Sequence, residues 1–390
     1  ALVPDNAANA AYLRQELRLL HASFAQAPLL GSLLDPARSL KNDLATSSFD
    51  TLRDLLERAL ATERPATLWG QASELQDDSW DLALTAKGLL DVARLLDARY
   101  HLVVTNVPYL GLSKQSPKLL DFCTSNWPVA KNDLALAFLE RVKDFLIDKS
   151  GVGGLVTLGE WLYLGPYADY RRHFLATVSP LLVLRLGWGA FSTPIRANPA
   201  IVLFDQQIAR SQFQFLDASS SNGFEENAKA ALANEVVSLS EQQVRSNPDH
   251  RFLAPRATPD GFLLEFAEAR SGLHAGDLHQ FFKCFWEVCD LAPNWELVQT
   301  AVNETTPFSG REQILLWEQE SGRLSRLAES VRHLNHAAQN WRAGMPFWGR
   351  RGVVVGLMGK AQCSIYSGQP FDVNSSAIVP RDESLLPALW

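Results

Sequence analysis

Cysteine is scarce in this chain, with four residues in 390 and no Cys-x-x-Cys pair. Cys284 and Cys289 lie in an aromatic stretch at a spacing that zinc knuckles do not use, and Cys123 and Cys363 are far from any other cysteine. The distribution argues against a cysteine-based zinc site. It is typical of a reduced, cytoplasmic protein.

Other chemical signatures are missing as well. The histidine pairs His274/His279 and His333/His336 come without carboxylates or thiolates at metal-binding spacing, so no metal is expected. There is no Walker loop and no Gly-x-Ser-x-Gly elbow. The sequence therefore gives no sign of a nucleotide-hydrolysing P-loop or of an α/β-hydrolase nucleophile.

Long hydrophobic runs are absent, since no apolar stretch approaches the ~20 residues that span a bilayer. Residues 1–11 lack a basic segment followed by an apolar one, so we expect no signal peptide, no membrane association and a cytoplasmic location. The chain begins at Ala1 rather than Met and ends at Trp390, and we expect it to be a piece of a longer protein.

Positive charge is not in excess, because 36 lysines and arginines face 43 acidic residues for a net charge of -7. This argues against a protein coated in nucleic-acid-binding charge but leaves room for a local basic cleft. With 47% hydrophobic and 20% charged residues the chain is globular. Its length predicts two domains, with three as an alternative.

Four regions differ in pattern. Residues 1–98 have leucines at helical spacing and are predicted to form a helical segment. Residues 99–210 alternate apolar runs with helical patterns, which predicts an α/β sheet. Residues 211–260 are polar and are predicted to be a linker, and residues 261–390 mix aromatic, glycine and arginine residues without a clean period. The predicted elements of the second region are strands at 101–105, 154–158, 181–186 and 200–204, a helix at 133–148, and a short helix carrying Tyr167, Tyr170 and Phe174.

The most informative stretch is Asn106-Val107-Pro108-Tyr109, which directly follows the predicted strand 101–105. Ligands of open α/β sheets bind at the carboxyl ends of strands. An Asn side chain and the next carbonyl can accept both N–H bonds of an exocyclic amino group, while a Tyr ring stacks on the base. Pro108 favours an extended Val107. The alternative is an ordinary strand followed by a proline turn.

Residues 103–114 (VVTNVPYLGLSK) resemble the Asn-Pro-Pro-Tyr region of adenine-specific DNA methyltransferases. Residues 131–141, 153–162, 170–175 and 191–204 continue the resemblance in family order, over about 100–206. The nearest subgroup is the methyltransferases of BREX-type phage-defence systems, related to type IIG restriction-modification enzymes. The resemblance implies part of a Rossmann-like sheet of S-adenosylmethionine-dependent methyltransferases, preceded by a helical segment and followed by an α+β target-recognition region.

Two departures from the family pattern concern the site. Val107 stands where the family has a second Pro, and it still supplies a carbonyl. The Gly-rich cofactor motif is missing. The only stretch that partly matches it, residues 34–40 (LDPARSL), lacks both glycines and is predicted to be a loop. The resemblance implies S-adenosylmethionine as cofactor, and we expect its binding half before Ala1.

Residues 272–282 (GLHAGDLHQFF) resemble the Gly-x-x-Thr-Gly-Asp stretch at the entry to the family's target-recognition part, with Ala275 in place of Thr. Residues 346–352 and 366–372 fit a recognition-domain pattern as well. The alternative for these segments is aromatic and glycine packing in a β-rich domain.

Phosphate contacts are expected from basic residues, which act as positioning contacts on DNA rather than as base readers. Solvated surface charge is the alternative for each of them, and the loop 110–118 is the best placed because it follows the motif. The candidates are Lys114, Lys118, Arg171, Arg172, Arg196, Arg350 and Arg351.

The resemblance implies a site-specific DNA adenine-N6 methyltransferase that acts on a flipped adenine in double-stranded DNA. Asn106, Val107, Pro108 and Tyr109 would form the catalytic motif. Other subunits of a defence system are possible partners. The alternative is a non-catalytic DNA-binding or scaffold subunit that keeps the methyltransferase fold. A restriction-enzyme fusion would need a nuclease motif, which this chain does not show.

Overall fold

The structure is a computed structural model, and its contacts divide the chain into two units, Ala1–Arg256 and Ala257–Trp390. The residues it describes are 15, 18–19, 21–22, 24–36, 87–89, 91–191, 197–207, 211–219, 223–253, 261–291, 293–302, 304–334, 336–357 and 361–390. Most of the predicted helical segment 1–98 therefore lies outside the described residues.

The first unit is built on a six-stranded mixed sheet in the order β1-β2-β4-β3-β5-β6. Its strands are β1 (Leu102–Asn106), β2 (Val152–Leu158), β3 (Ser179–Arg185), β4 (Pro199–Asp205), β5 (Gln212–Asp217) and β6 (Val237–Ser240). The strands β1, β2, β3 and β5 share one direction, because β1 pairs parallel with β2, β3 pairs parallel with β5, and β4 lies antiparallel between β2 and β3. The predicted α/β class is confirmed.

Helices pack on this sheet, one before β1 in the chain and the others after it. They are α1 (Ala27–Leu30), α2 (Pro117–Asn126), α3 (Leu134–Phe145), α4 (Ala168–Thr177), α5 (Phe224–Ala233) and α6 (Glu241–Ser246). The helix α3 begins where the Asp133 side chain accepts a hydrogen bond from Ala135 N at 2.9 Å, as an N-cap does. Its apolar face, with Leu136 and Leu139, belongs to the buried core.

The close packing of β2 on β4 requires glycine. A Cβ built on Gly153 would lie 2.6 Å from the Phe204 ring, which fills the space above β2. The Phe204 side chain is fully buried and contacts the ring of Phe174 on α4, with the two ring centroids 6.0 Å apart. This packing joins the middle of the sheet to the helix layer.

The stretch 211–260, predicted as a linker, instead carries two strands of the sheet and two helices. Its polar composition misled the prediction, because β5 alternates exposed and buried side chains and α5 is largely exposed. Phe213 and Phe215 nevertheless face the core, and the Phe252 ring packs 5.8 Å from Trp161, centroid to centroid.

The second unit contains two antiparallel sheets, in the orders β8-β10-β9 and β12-β11-β13-β7. The strands are β7 (Ala267–Ser271), β8 (Phe282–Cys284), β9 (Trp295–Val298), β10 (Gln313–Leu316), β11 (Gly352–Gly356), β12 (Cys363–Tyr366) and β13 (Ser375–Pro380). The helices are α7 (Leu263–Phe266), α8 (Leu278–Phe281), α9 (Arg323–Ser330) and α10 (Leu386–Leu389).

Aromatic side chains dominate the core of the second unit. The Trp317 ring lies 5.3 Å from Trp341 and 4.9 Å from Trp348, centroid to centroid, and Tyr366 packs edge-on against Phe371 at 5.3 Å. The pairs Trp317–Trp348 and Tyr366–Phe371 are edge-to-face, an arrangement that the quadrupoles of the rings favour. Throughout the described ranges of both units, no helix combines the length and the apolar character needed to cross a membrane.

Candidate functional site

The four residues of the motif meet at the carboxyl end of β1. Asn106 is the last residue of the strand, is exposed, and pairs in register with Val156 of β2. The Tyr109 hydroxyl donates a hydrogen bond to Asn106 Oδ1 at 3.2 Å. A carboxamide oxygen has two lone pairs, so Asn106 Oδ1 can accept a second hydrogen bond from a ligand.

Burial fixes the backbone between these two side chains. Val107 is 4% exposed and belongs to the core, whereas Pro108 is exposed. The half-buried Tyr109 ring packs against the same core. Burial and, secondly, the charge of Asp133 raise the pKa of the Tyr109 hydroxyl, so the phenol stays protonated and remains a donor at neutral pH.

The loop after the motif is tied to the start of α3. Leu110 O accepts hydrogen bonds from Leu134 N at 3.0 Å and from Gln115 Nε2 at 3.1 Å, and Leu112 N donates to Asn132 O at 3.0 Å. The buried Gln115 amide also donates to Lys131 O at 3.1 Å. These bonds hold the loop in place beside Tyr109.

A cluster of polar side chains that the sequence analysis did not predict lies at the carboxyl end of β2, next to β1. Glu160 follows β2, and burial first and then the charge of Asp133 raise the pKa of its carboxyl group. Asn198 hydrogen-bonds the Glu160 side chain and donates to the Tyr163 hydroxyl at 2.9 Å. Arg185 lies over the Tyr163 ring, 4.9 Å from its centroid. The available signal was positional, since Glu160 and Tyr163 directly follow a predicted strand.

Asp133 connects this cluster of polar side chains to the motif. It is 4% exposed, burial raises its pKa, and its charge acts on Tyr109, Tyr167 and Glu160. Burial and the two carboxylates together raise the pKa of Tyr167 to about 12. The cavity beneath them, lined by Asp133, Trp161 and Tyr167 among others, has a volume of only about 10 Å³. This volume is too small for a nucleobase.

Arg171 is unsuited to the predicted phosphate contact. It is fully buried, and its guanidinium donates to Trp161 O at 2.7 Å, Leu164 O at 2.8 Å and Asp249 O at 2.8 Å. Burial lowers its pKa to about 10, which leaves it charged at neutral pH. Arg171 therefore connects α4 to two loops inside the first unit.

The other predicted phosphate contacts differ in position. Lys114 and Lys118 are exposed in the loop and the first turn of α2, on the side of the chain that follows the motif. Arg172 is exposed and pairs with Asp169 at 2.7 Å. Arg196 lies outside the described residues.

Arg350 and Arg351 belong to the second unit. The Arg350 side chain is half-buried, lies over the Phe347 ring at 5.5 Å from its centroid, and donates to Pro380 O at 3.3 Å. Arg351 is exposed. Arg351 is thus the more accessible of the two arginines to a ligand.

The described part of the stretch that partly matches the cofactor motif is packed against α3. Leu33 and Leu34 are buried, and the fully buried Arg141 of α3 donates to Leu34 O at 2.7 Å and pairs with Asp35 at 3.5 Å. Residues 37–40 lie outside the described part of the chain. This stretch therefore joins α3 by its carbonyls and its carboxylate and presents no glycine cradle.

The segments of the second unit with a recognition-domain pattern come together through packing. Leu273 N donates a hydrogen bond to Phe371 O, which joins the segment at 272–282 to the one at 366–372. Gly272 N donates to Ser375 O, just beyond the second segment. Phe347, Tyr366 and Phe371 are buried in one cluster. Their rings pack in a hydrophobic core, as the alternative interpretation of these segments predicts. Ala275, in place of the family's Thr, is also buried.

Comparisons with known proteins give two similar curated sequences. No protein-family model matches the chain. The adenine-specific methyltransferase PglX of Lacticaseibacillus casei (strain Zhang) is 30% identical over 128 residues, which is 33% of this chain and 10% of that protein. The adenine-specific methyltransferase BrxX of Escherichia coli O9:H4 (strain HS) is 29% identical over 99 residues, or 25% of this chain and 8% of that protein.

Over about a third of its length or less, the chain is similar to these two adenine-specific methyltransferases. The predicted resemblance to adenine-specific methyltransferases is thereby confirmed. The matched part spans about a tenth of the length of these curated relatives. Among solved structures, the type IIL restriction-modification enzyme MmeI in complex with DNA superimposes with a TM-score of 0.49 and 12% identity, covering 97% of this chain and 63% of that one.

Proposed function

We propose that this chain carries the adenine-binding part of a DNA adenine-N6 methyltransferase of the BREX or type IIG kind. The protein would transfer a methyl group from S-adenosylmethionine to a flipped adenine in double-stranded DNA, in phage defence or restriction-modification. The observation that supports this most is the exposed Asn106 carboxamide at the carboxyl end of β1, hydrogen-bonded to Tyr109 and followed by the buried Val107.

Two acceptors would orient the amino group of the base. Asn106 Oδ1, which already accepts from Tyr109, has a lone pair left for one N6–H, and the Val107 carbonyl would accept the other. The Tyr109 ring would stack on the base, as aromatic rings do on flipped bases. With both hydrogens held, the nitrogen lone pair is directed toward the methyl donor, so catalysis rests on positioning.

Rigid surroundings support that role. Val107 is anchored in the core, and the loop from Leu110 to Gln115 is tied to the start of α3. A positioning mechanism needs this rigidity, because small displacements of the reacting groups cost large factors in rate. Lys114 and Lys118, exposed beyond the same loop, are the proposed phosphate contacts nearest the base.

Residues 34–36, where the sequence comes nearest to the cofactor motif, form no glycine-lined site for the methyl donor. S-adenosylmethionine would need backbone that a ligand can approach closely, and the stretch around Asp35 is instead packed on Arg141. The donor-binding residues would therefore come from elsewhere in the protein. What this part of the chain supplies is the orientation of the amino group.

The test uses the full-length protein and the variant Asn106→Ala. Methyl transfer from labelled S-adenosylmethionine to DNA should be lost, while the thermal unfolding temperature and duplex affinity stay the same, because Asn106 is exposed. Asn234→Ala, an exposed Asn of α5's C-terminal boundary, is the matched control and should methylate normally. Normal methylation by the Asn106 variant would exclude this site.

A non-catalytic DNA-binding or scaffold subunit is the competing function. The ion pair between Asp35 and Arg141 favours this alternative, because the segment before Pro36 is packed against Arg141 and leaves no space there for the donor. Isothermal calorimetry with S-adenosylmethionine on the full-length protein separates the two. Micromolar binding together with methyl transfer supports the enzyme, and absence of both with DNA binding retained supports the scaffold.

A further inference from the structure

The second unit contains a cavity of about 390 Å³ that the proposed adenine site does not use. Its volume falls within the range of small-molecule sites, roughly 300–1,000 Å³. It lies where the end of β9 meets the loop before β10 and the loop after β12. The lining residues are Phe285, Leu291, Leu297, Val298, Gln299, Phe308, Arg311 and Gln369.

Exposed aromatic rings line the opening of this cavity. Phe308 is 77% exposed and Phe285 is 47% exposed, and Trp286 contacts Phe285 edge-on with the centroids 4.9 Å apart. Trp286 itself is 63% exposed. Large apolar rings that gather at one place on a surface mark an interaction site more often than scattered ones do. Flat, unburied rings suit a flat partner.

A guanidinium lies among these rings. The Arg311 side chain is 4.2 Å from the Phe308 ring centroid, and its Nη2 donates to Ile365 O at 2.8 Å and Ser367 Oγ at 3.0 Å. Arg311 makes no ion pair with any of the described residues, and burial alone lowers its pKa, as expected where no carboxylate is close. Its charge is therefore available to an anion.

The cavity floor is held firmly. Gln299 is fully buried, and its Nε2 donates to Ile365 O at 3.0 Å and Ser309 O at 3.3 Å. Gln299 N donates to Pro370 O at 2.8 Å, and Asp372 N donates to Gln299 O at 3.1 Å. This side chain and backbone join the strand end to both neighbouring loops, so the rings and the guanidinium project from a fixed base.

We propose that this cavity binds one unpaired nucleotide of a DNA strand, with the base against Phe308 and Phe285 and a phosphate at Arg311. Aromatic rings stack on any base, and a guanidinium pairs with phosphate oxygens in a planar, often bidentate way. The inference rests on the proposed function only in taking DNA as the ligand. It adds a second nucleotide site, separate from the adenine site of the first unit.

The test measures the affinity of the full chain for a fluorescein-labelled oligothymidylate of about twelve nucleotides, by anisotropy. Phe308→Ala should weaken binding about tenfold, the loss typical of one stacked base. Arg311→Gln should weaken it as well and reduce the salt dependence by the equivalent of about one phosphate. Phe308→Ala should leave the unfolding temperature unchanged because Phe308 is 77% exposed, and circular dichroism checks that Arg311→Gln, which loses its bonds to Ile365 O and Ser367 Oγ, is folded at the assay temperature.

Matched controls come from outside the cavity. Phe224→Ala removes a 52% exposed Phe of the first unit, and Arg332→Gln removes an exposed arginine that pairs with Glu329. Both should bind the oligonucleotide like the unchanged chain.

The proposal is overturned if the chain does not bind the single strand, or if the cavity variants bind it as tightly as the controls do. A chain that binds only through protein partners would give the first of these results. Failure of the proposed methyltransferase function is a separate result, because it is read from methyl transfer by the full-length Asn106→Ala variant and not from single-strand affinity.

Discussion

In the first unit, the described residues include several buried charges: Glu140 is 5% exposed, Arg141 1% and Arg171 0%, and each of these three is hydrogen-bonded or ion-paired. In the second unit, Asp372 is the buried charge among the described residues, and aromatic rings and close backbone contacts fill the core. Buried ion pairs and charged hydrogen bonds therefore contribute more to the first unit, and the close packing of rings and backbone contributes more to the second.

The difference matters for the two proposed sites. A site that must orient an amino group needs fixed acceptors, and polar networks fix orientation at the cost of sensitivity to charge. A site that stacks any base needs rings and a cation on a firm floor. Substitutions that remove a buried charge should thus damage the first unit most.

The largest effect is expected from Arg171→Met. Three carbonyls would lose their donor inside the first unit, and breaking a buried charged network typically costs about 3–5 kcal/mol. The free energy of unfolding from urea denaturation measures it. Arg172→Met, an exposed neighbour, is the control, and its effect should stay within about 0.5 kcal/mol. Equal effects of the two would contradict the charge-held description.

Gly272→Ala should come next and act on the second unit. A Cβ at this position would meet the carbonyl oxygens of Phe371 and Asp372, which are backbone atoms and cannot turn away. Overpacking costs about 1–3 kcal/mol. Thermal unfolding checks it against Gly165→Ala, where a Cβ has open space around it. A neutral Gly272 variant would show that the contact between these two segments yields easily.

Glu140→Gln should give a pH-dependent loss. Burial opposes the charge of Glu140, but the hydrogen bond from His173 and the charge of Lys143 at 2.5 Å prevail and lower its pKa below the ordinary 4.5. A lowered folded-state pKa gives stability that is present above the unfolded value and is lost as the pH falls through the folded value.

The difference between Glu140→Gln and the unchanged chain should therefore be full at pH 7, at about 1–3 kcal/mol, and should shrink below pH 4.5. Chemical denaturation at several pH values measures it. Glu225→Gln, an exposed substitution in the first turn of α5, is the control. A difference that grows on acidification would show that the network is not held by this charge.

Tyr109→Phe should have the smallest effect. It removes the bond to Asn106 Oδ1 and keeps the ring, so the stability change should be at most about 0.5–1.5 kcal/mol. In the full-length protein kcat/KM for methylation should fall less than about tenfold, and Tyr109→Ala, which also removes the ring, should lose more. If both variants lost the same factor, the hydroxyl rather than the stacking surface would be what matters.

Periodicity sufficed for much of the first unit. The strand predicted at 101–105 is Leu102–Asn106, and those at 181–186 and 200–204 are Ser179–Arg185 and Pro199–Asp205. Apolar runs stand out in a sequence whether or not both faces are buried, as in β1 with its exposed Leu102 and Val104. The order of strands does not, because the antiparallel placement of β4 between β2 and β3 depends on pairing between distant segments. β5 was missed for a similar reason, since half of its side chains face water.

The same contrast holds for the sites. Asn106 and Tyr109 are neighbours in sequence, so a local pattern was enough to group them. Glu160 and Asn198 are brought together only by the pairing of β2 with β4, and Phe308 and Phe285 only by the pairing of β8 with β10. Arg171 was predicted as a phosphate contact because a sequence does not reveal which of two adjacent arginines points inward.

Val107 has a thermodynamic consequence for the motif. A proline in its place restricts φ through a covalent ring, whatever the temperature or solvent. Here the backbone at position 107 is restrained by burying an isopropyl group, and that restraint follows the hydrophobic effect, which weakens on cooling and in denaturant. The precision with which the carbonyl of residue 107 is held is therefore a function of solvent conditions, and a Val107→Pro exchange would convert a solvent-dependent restraint into a covalent one.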